Sequence, residues 1–177
     1  VQTAAAEVGQ GLITVEQQIV RTELGIERVV VAPKETFVGS GGATSASRQS
    51  YVTGGAVKAG CEAVRAVVLE RAALALGRRA AELRLEGEKI VGASGEVLTR
   101  LAQVLGDDAV EEATEYRHRP THAIDPETGQ GDAHVQFAFS AHRAVVDVDV
   151  ELGLVKVVAL DTAQDVGKAI NPDAVVG

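Results

Sequence analysis

The sequence predicts an α+β protein built as two-layer lobes, with helices laid on mixed or antiparallel strands. Three observations carry that prediction. Segments with helical spacing of apolar residues, near 12–24 and 51–76, alternate with short valine-rich runs. The clearest strands, between Val135 and Leu160, follow one another across a tight turn, which is antiparallel order. Hydrophobic residues make up 46% of the chain and aromatics only 3%, so its core must come from Ala, Val and Leu, which favours close backbone packing. At 177 residues the chain suits one domain or two small lobes, and the division expected is 1–80 and 81–177, meeting near Arg78 to Glu96.

In order, Val1 to Glu7 is expected to be a strand, and Gly9-Gln10-Gly11 a turn. Leu12, Val15 and Ile19, with Glu16, Gln17 and Arg21 between them, predict an amphipathic helix that ends at Gly25. Glu27 to Ala32 is rich in Val and reads as a buried strand closed by Pro33. A long glycine- and serine-rich loop follows, from Val38 to Ser50. The next segment, Tyr51 to Leu76, has no proline and predicts a long helix. Its first half carries Gly54, Gly55, Ala56, Ala59, Gly60 and Ala63, at a propensity cost of roughly 1 kcal/mol per glycine, so that face is expected against a sheet or ligand. Cys61 in this helix reads as a small buried hydrophobe.

The alternation from Glu82 to Val91 about Gly87 predicts a hairpin. Ser94 is a candidate cap for a helix through Val97, Leu101 and Leu105, ending at Gly106. Val110 to Arg117 reads as a weak strand, and Pro120 to Asp132 as the longest loop. Val135 to Phe139 and Val146 to Glu151 are strands, Leu152-Gly153 turns the chain, and Leu154 to Leu160 returns. Asp165 to Pro172 is a turn before a helix with Pro172 near its first position.

Composition excludes several classes. A net charge of −8 argues against nucleic acid. The single cysteine rules out an internal disulfide or a cysteine metal cluster. No run of about 18 apolar residues predicts a membrane span, and no signal peptide is visible. Asp147, Asp149 and Glu151 share one strand face without a convergent partner, which is a solvated face rather than a metal site. His118, His122, His134 and His142 do not have the spacing of a zinc motif. The chain starts at Val1 without methionine and stops at Gly177 in mid-pattern, so it is expected to be a piece of a longer polypeptide.

The chemistry is expected in the loops. Strand, small-residue loop, then helix N-terminus is a geometry that binds anions, through free N–H groups and the positive end of the helix dipole. It occurs twice, at Glu7 to Gly11 and at Val38 to Ser50, which suggests a large polyanionic ligand.

Three stretches in order, Gly9-Gln10-Gly11, Gly42 to Arg48, and Asp165-Val166-Gly167 through Asn171-Pro172, extend the argument. Together they resemble the molybdenum-binding subunit of the xanthine dehydrogenase/aldehyde oxidase family, closest to bacterial xanthine dehydrogenase, over essentially the whole chain. The resemblance implies a molybdenum–molybdopterin cofactor in its cytosine dinucleotide form, with iron–sulfur clusters and FAD on partner subunits of a cytoplasmic complex. It implies that Gly9, Gln10 and Gly11 line the pterin and pyrophosphate, Gln10 beside the pterin. Ser40, Gly41, Gly42, Thr44, Ser45, Ala46 and Ser47 would give N–H and hydroxyl donors, and Arg48 either a phosphate contact or an internal salt bridge.

The chain departs from the family where many relatives read Pro-Asp-Ser-Gly and it has Gly39-Ser40-Gly41-Gly42. The family's catalytic glutamate is expected beyond Gly177, and upstream cofactor segments before Val1, so no catalytic and no metal-ligating residue is assigned here. The reaction implied is hydroxylation of a purine or other N-heterocycle carbon with water as the oxygen source, with the isolated piece inactive. The alternatives are a non-catalytic molybdopterin-binding or assembly module, and a hydroxylase of the aldehyde or CO dehydrogenase type.

Overall fold

A computed structural model describes residues 1–33 and 35–176, and they form two compact units, Val1–Arg117 and His118–Gly177. The fold is α+β, as the sequence predicts. The elements of the first unit are α1 (Leu12–Leu24), α2 (Gly54–Leu76), β1 (Arg84–Glu86), β2 (Lys89–Val91), β3 (Val97–Arg100) and α3 (Leu101–Leu105). The second unit contains β4 (Phe139–Asp149), β5 (Leu154–Asp165) and α4 (Pro172–Val176).

In the first unit α1 ends at Gly25, whose left-handed backbone donates its N–H to the Arg21 carbonyl. Val20 on α1 packs against Val57 and Cys61 on α2 in one small core. The Cys61 thiol is pushed up from its ordinary pKa by burial, which suits the packing role expected of it. Further along α2, Val68, Ala72 and Ala73 meet Leu83 and Ile90 in a second core, onto which α3 also packs. The small antiparallel sheet runs β1-β2-β3, with Leu85 opposite Ile90 and Ile90 opposite Thr99. Because this sheet lies on α2, residues 81–117 belong with the first unit, and the chain divides after Arg117 rather than near residue 80.

Three other expectations change. Val97 to Arg100 is a strand, not the start of a helix, since Val97 and Thr99 pair with β2. Ser94 caps nothing: it lies in the turn before that strand and donates to the Glu96 carboxylate. Residues 1–7, 27–32 and 110–117 form no strand. The first two are nonetheless joined at their ends, with the Val1 amino group donating to the Val30 carbonyl at 2.8 Å and the Ala32 N–H to the Val1 carbonyl at 2.8 Å.

The glycine face of α2 is covered by the chain itself. A Cβ on Gly55 would stand 2.8 Å from the Tyr116 ring, and Thr114 donates its hydroxyl to the Ala56 carbonyl at 3.1 Å. Small residues are needed there because the side chains of Tyr116 and Thr114 lie against the helix.

In the second unit β4 and β5 form one long antiparallel hairpin, from Phe139 opposite Asp165 to Asp149 opposite Leu154, with a bulge at Val145/Val146. β4 begins at Phe139, so Val135 to Ala138 lies ahead of it, and the turn at 150–153 is where Leu152-Gly153 predicts it. Asp149 closes that turn by accepting the N–H groups of Glu151 and Leu152.

Candidate functional site

The two loops singled out in the sequence lie on either side of the segment Ala4-Ala5, and they differ in one respect: which of their backbone donors are already used.

In the first loop, Gly9 (φ 104°) and Gly11 (φ 79°) adopt backbone that side chains disfavour, and nothing lies where their Cβ atoms would stand. This conformation turns N–H groups inward onto Glu7. Its Oε1 accepts from Gly9 at 2.8 Å and Gly11 at 3.1 Å, and its Oε2 accepts from Ile13 at 3.1 Å. Those bonds, the one from Ile13 first, hold the Glu7 carboxyl below the ordinary glutamate range. Gln10 folds back on the same turn, its Oε1 accepting from the Val8 N–H at 2.7 Å and its Nε2 donating to the Ala6 carbonyl at 2.9 Å. The N-terminus of α1 is therefore capped by the chain's own carboxylate. An anion placed there would have to displace Glu7 or meet its charge.

The second loop is built the other way. From Thr36 to Cys61 there is no Asp or Glu, in a chain of net charge −8. Gly41 presses onto the first segment: a Cβ there would stand 2.8 Å from Ala5 Cα and 2.9 Å from the Ala4 carbonyl carbon. Ala5 beneath it is buried. Arg48 reaches back across the loop and donates to the carbonyls of Gly41 and of Ala43, the latter at 3.3 Å. Among the described residues it makes no salt bridge, and its hydrogen bonds tie the loop to itself.

Gln49, buried at the head of the helix, completes the frame. Its Nε2 donates to Thr44 Oγ1 at 3.1 Å and to the Ala43 carbonyl at 3.4 Å, and its Oε1 accepts from the buried Thr53 hydroxyl. Gln49–Thr53 is a π turn that runs into α2, with the Gly54 N–H donating to the Gln49 carbonyl. Ala46 (φ 48°) and Ser47 (φ 58°) sit in left-handed backbone without being glycine, the strained turn by which the loop enters the helix.

Several donors remain. Ser40 Oγ accepts the Gly42 N–H at 3.2 Å, and Arg48 N–H donates to the Ser45 carbonyl at 2.9 Å. Among the described residues, the N–H groups of Thr44, Ser45, Ala46 and Ser47 have no acceptor. Thr44, Ser45 and Ser47 are exposed, and Thr44 Oγ1 accepts from Gln49. An acid-free loop of exposed N–H and hydroxyl donors, backed by a guanidinium, fits a phosphate-bearing group. No hydrogen bond among the described residues joins Gly9, Gln10 or Gly11 to residues 40–48.

Sequence reasoning missed Glu7, Gln49 and Thr53. For Glu7 a signal existed, an acidic residue just ahead of a helix start. The third stretch lies in the second unit, where Asp165 Oδ1 accepts the Gly167 N–H at 2.9 Å and Pro172 opens α4. Among the described residues no group of three His, Cys, Asp or Glu side chains can hold a metal, and no helix is long and apolar enough to cross a membrane.

The fold recurs in solved structures of larger proteins. A Cu,Mo-CO dehydrogenase in its carbon monoxide reduced state matches with a TM-score of 0.75 and 21% identity over 98% of this chain and 22% of its own. Reconstituted CO dehydrogenase from Oligotropha carboxidovorans gives 0.73 and 20% identity, over 97% of this chain and 21% of its own. Quinoline 2-oxidoreductase from Pseudomonas putida 86 gives 0.73 and 23% identity, over 99% and 22%. The chain thus spans about a fifth of the length of these proteins, and at such identities the likeness establishes the fold. A family model matches the sequence itself over residues 1–177. The chain belongs to the molybdopterin cofactor-binding domain family.

Proposed function

We propose that this chain is part of the molybdopterin-binding subunit of a molybdenum hydroxylase, and that it holds the phosphate-bearing end of the cofactor on the loop from Ser40 to Arg48. The observation that carries this is the second loop itself: it has no carboxylate, and among the described residues its N–H groups from Thr44 to Ser47 are unused and Arg48 backs it without a partner acid. Ser45 and Ser47 would donate hydroxyl hydrogen bonds, and the N–H groups beside them would take the equatorial oxygens of a phosphate. The bare glycine turn at Gly9 and Gly11 would lie against a flat, uncharged part of the same ligand, with Gln10 released from Ala6 to meet it. When bound, the molybdenum–pterin group supplies the redox chemistry, and the protein's share is binding and orientation.

The substrate class we assign is a purine or related N-heterocycle, in a cytoplasmic complex whose iron–sulfur and FAD subunits carry the electrons away. It rests on the resemblance of the ordered loops to xanthine dehydrogenase. The cofactor form assigned is the cytosine dinucleotide, which suits a loop with several phosphate donors. No residue of this chain is given a catalytic role, and the chain alone is expected to be inactive.

The test is elemental analysis of the native complex carrying this chain, followed by oxidation assays. Equimolar molybdenum, with phosphorus in excess of that from flavin, supports the cofactor reading. Turnover of xanthine or hypoxanthine supports the substrate reading, whereas turnover of aldehydes alone moves it to another branch. A complex that retains flavin and iron but lacks molybdenum points instead to a non-catalytic module.

A further inference from the structure

The mechanism proposed above leaves one well-placed acid unused. Glu7 spends its carboxylate on three N–H groups spread from Gly9 to Ile13, so one side chain defines both the turn and the start of α1. Gln10 closes the other side of the turn on Val8 and Ala6. Gly9 and Gly11 have open space where a side chain would stand, between the exposed side chains of Val8 and Gln10.

We propose that Glu7 is a positioning residue for the ligand: it fixes Gly9-Gln10-Gly11 as a flat backbone surface, and it fills the anion position of α1 so that only an uncharged group can settle there. This rests on the reading of the chain as a cofactor-binding one. It divides the labour between the loops. The carboxylate repels phosphate from the first turn, while the acid-free second loop with Arg48 attracts it, and this polarity sets the direction in which a ligand with one charged and one neutral end must lie. A plain helix cap would have no such consequence, because any residue accepting the Ile13 N–H would serve.

The test uses the native complex with Glu7→Gln and Glu7→Ala. The first readout needs no ligand: amide hydrogen exchange at Gly9, Gly11 and Ile13 should quicken roughly tenfold in Glu7→Ala and less in Glu7→Gln, which keeps one acceptor oxygen. The second is molybdenum retained through gel filtration, with flavin and iron as internal controls. Glu7→Ala should lose molybdenum several-fold faster than wild type at unchanged flavin and iron, with Glu7→Gln between. The near-ultraviolet circular dichroism of the retained cofactor should change in both. Unchanged exchange overturns the clamp. Faster exchange with wild-type molybdenum retention and dichroism reduces Glu7 to a helix cap and overturns the positioning role. A wild-type complex without molybdenum sinks the cofactor reading, while the exchange result still judges the clamp alone. If Glu7→Ala does not fold, Glu7→Gln supplies both readouts.

Discussion

The Arg48 guanidinium lies where a side chain on Gly42 would stand: a Cβ there would meet Arg48 Nη2 at 2.6 Å and Cζ at 2.7 Å. Gly42 also has φ 65°, so two independent constraints require glycine at the one place where the loop folds over its arginine. Gly41 beside it is excluded by something harder, the backbone of Ala4 and Ala5 at 2.8–2.9 Å. The pair gives different expectations. Gly42→Ala moves a flexible side-chain end but must also hold left-handed backbone, so it should cost about 1–2 kcal/mol and weaken cofactor retention by displacing Arg48. Gly41→Ala must move backbone and should destabilise the unit by about 1–3 kcal/mol. Parallel thermal and molybdenum-retention measurements on the two variants separate these outcomes.

Tyr51 and Tyr116 meet edge to face, centroids 6.0 Å apart, where the extended segment crosses the head of α2. The hydrogen bond with Tyr51, followed by burial, holds the Tyr116 phenol above its ordinary pKa. Tyr51→Phe removes the first cause, so the remaining tyrosine should ionise at lower pH than it does in the wild type. These are the only tyrosines among the 177 residues, so ultraviolet titration of the chain resolves them. An unchanged titration of Tyr116 would show that the pair packs without sharing a proton.

Elements whose cause is local were legible in the sequence, and those whose cause is distant were not. Gly87 inside an alternating run was enough for β1 and β2, and Gly25 marked the end of α1. The small-residue face of α2 was visible, but not that Thr114 and Tyr116 cover it, because nothing within the helix encodes what arrives from 58 residues away. Val97 to Arg100 followed a helix-cap cue in sequence, yet its fate was decided by pairing with β2. Both loops were legible as glycine-rich turns before helices. Their difference was not, since Glu7 reaches the N–H groups of Gly9 and Gly11 only once positive φ has turned them inward. The ordered loops pointed to a family, and the match over 1–177 shows the molybdopterin cofactor-binding domain.

Ile90 is fully buried where β2 meets α2, among Val68, Ala72, Ala73 and Leu83. Ile90→Ala should cost about 2–5 kcal/mol, the usual range for a cavity in such a core. The loss should appear as faster amide exchange in β2 and the second half of α2. Gly9, Gly11 and Ile13 lie outside that core and should keep their protection. Equal acceleration at those amides would mean that the first unit opens as one cooperative body, and that its two small cores are not separable.

Arg119 and Asp132 form a two-pronged pair, Nη1 to Oδ2 at 2.5 Å and Nη2 to Oδ1 at 2.6 Å, and Nη2 also donates to the His134 carbonyl. The pair ties the two ends of the 120–132 loop, while Asp125 accepts the Glu127 N–H and the Thr128 hydroxyl at its tip. Hydrogen bonds from Arg119 hold the Asp132 carboxyl below the ordinary aspartate range, and the Glu127 N–H does the same for Asp125. A carboxyl depressed in the folded state stabilises it at every pH above the unfolded value, and the contribution is lost as pH falls through the folded one. The loop should therefore be insensitive to pH around neutrality and loosen only below the ordinary aspartate range. Both partners are about half exposed, so salt should weaken the effect as well. Asp132→Asn should loosen the loop already at neutral pH and remove most of the acid step, leaving that of Asp125. Backbone amide shifts of His122 and Glu127 across an acid titration read the two pins separately, because the His122 N–H is bonded to the Asp132 carbonyl and the Glu127 N–H to the Asp125 side chain. An acid step at His122 that persists unchanged in Asp132→Asn would mean that the Arg119 pair does not hold the loop.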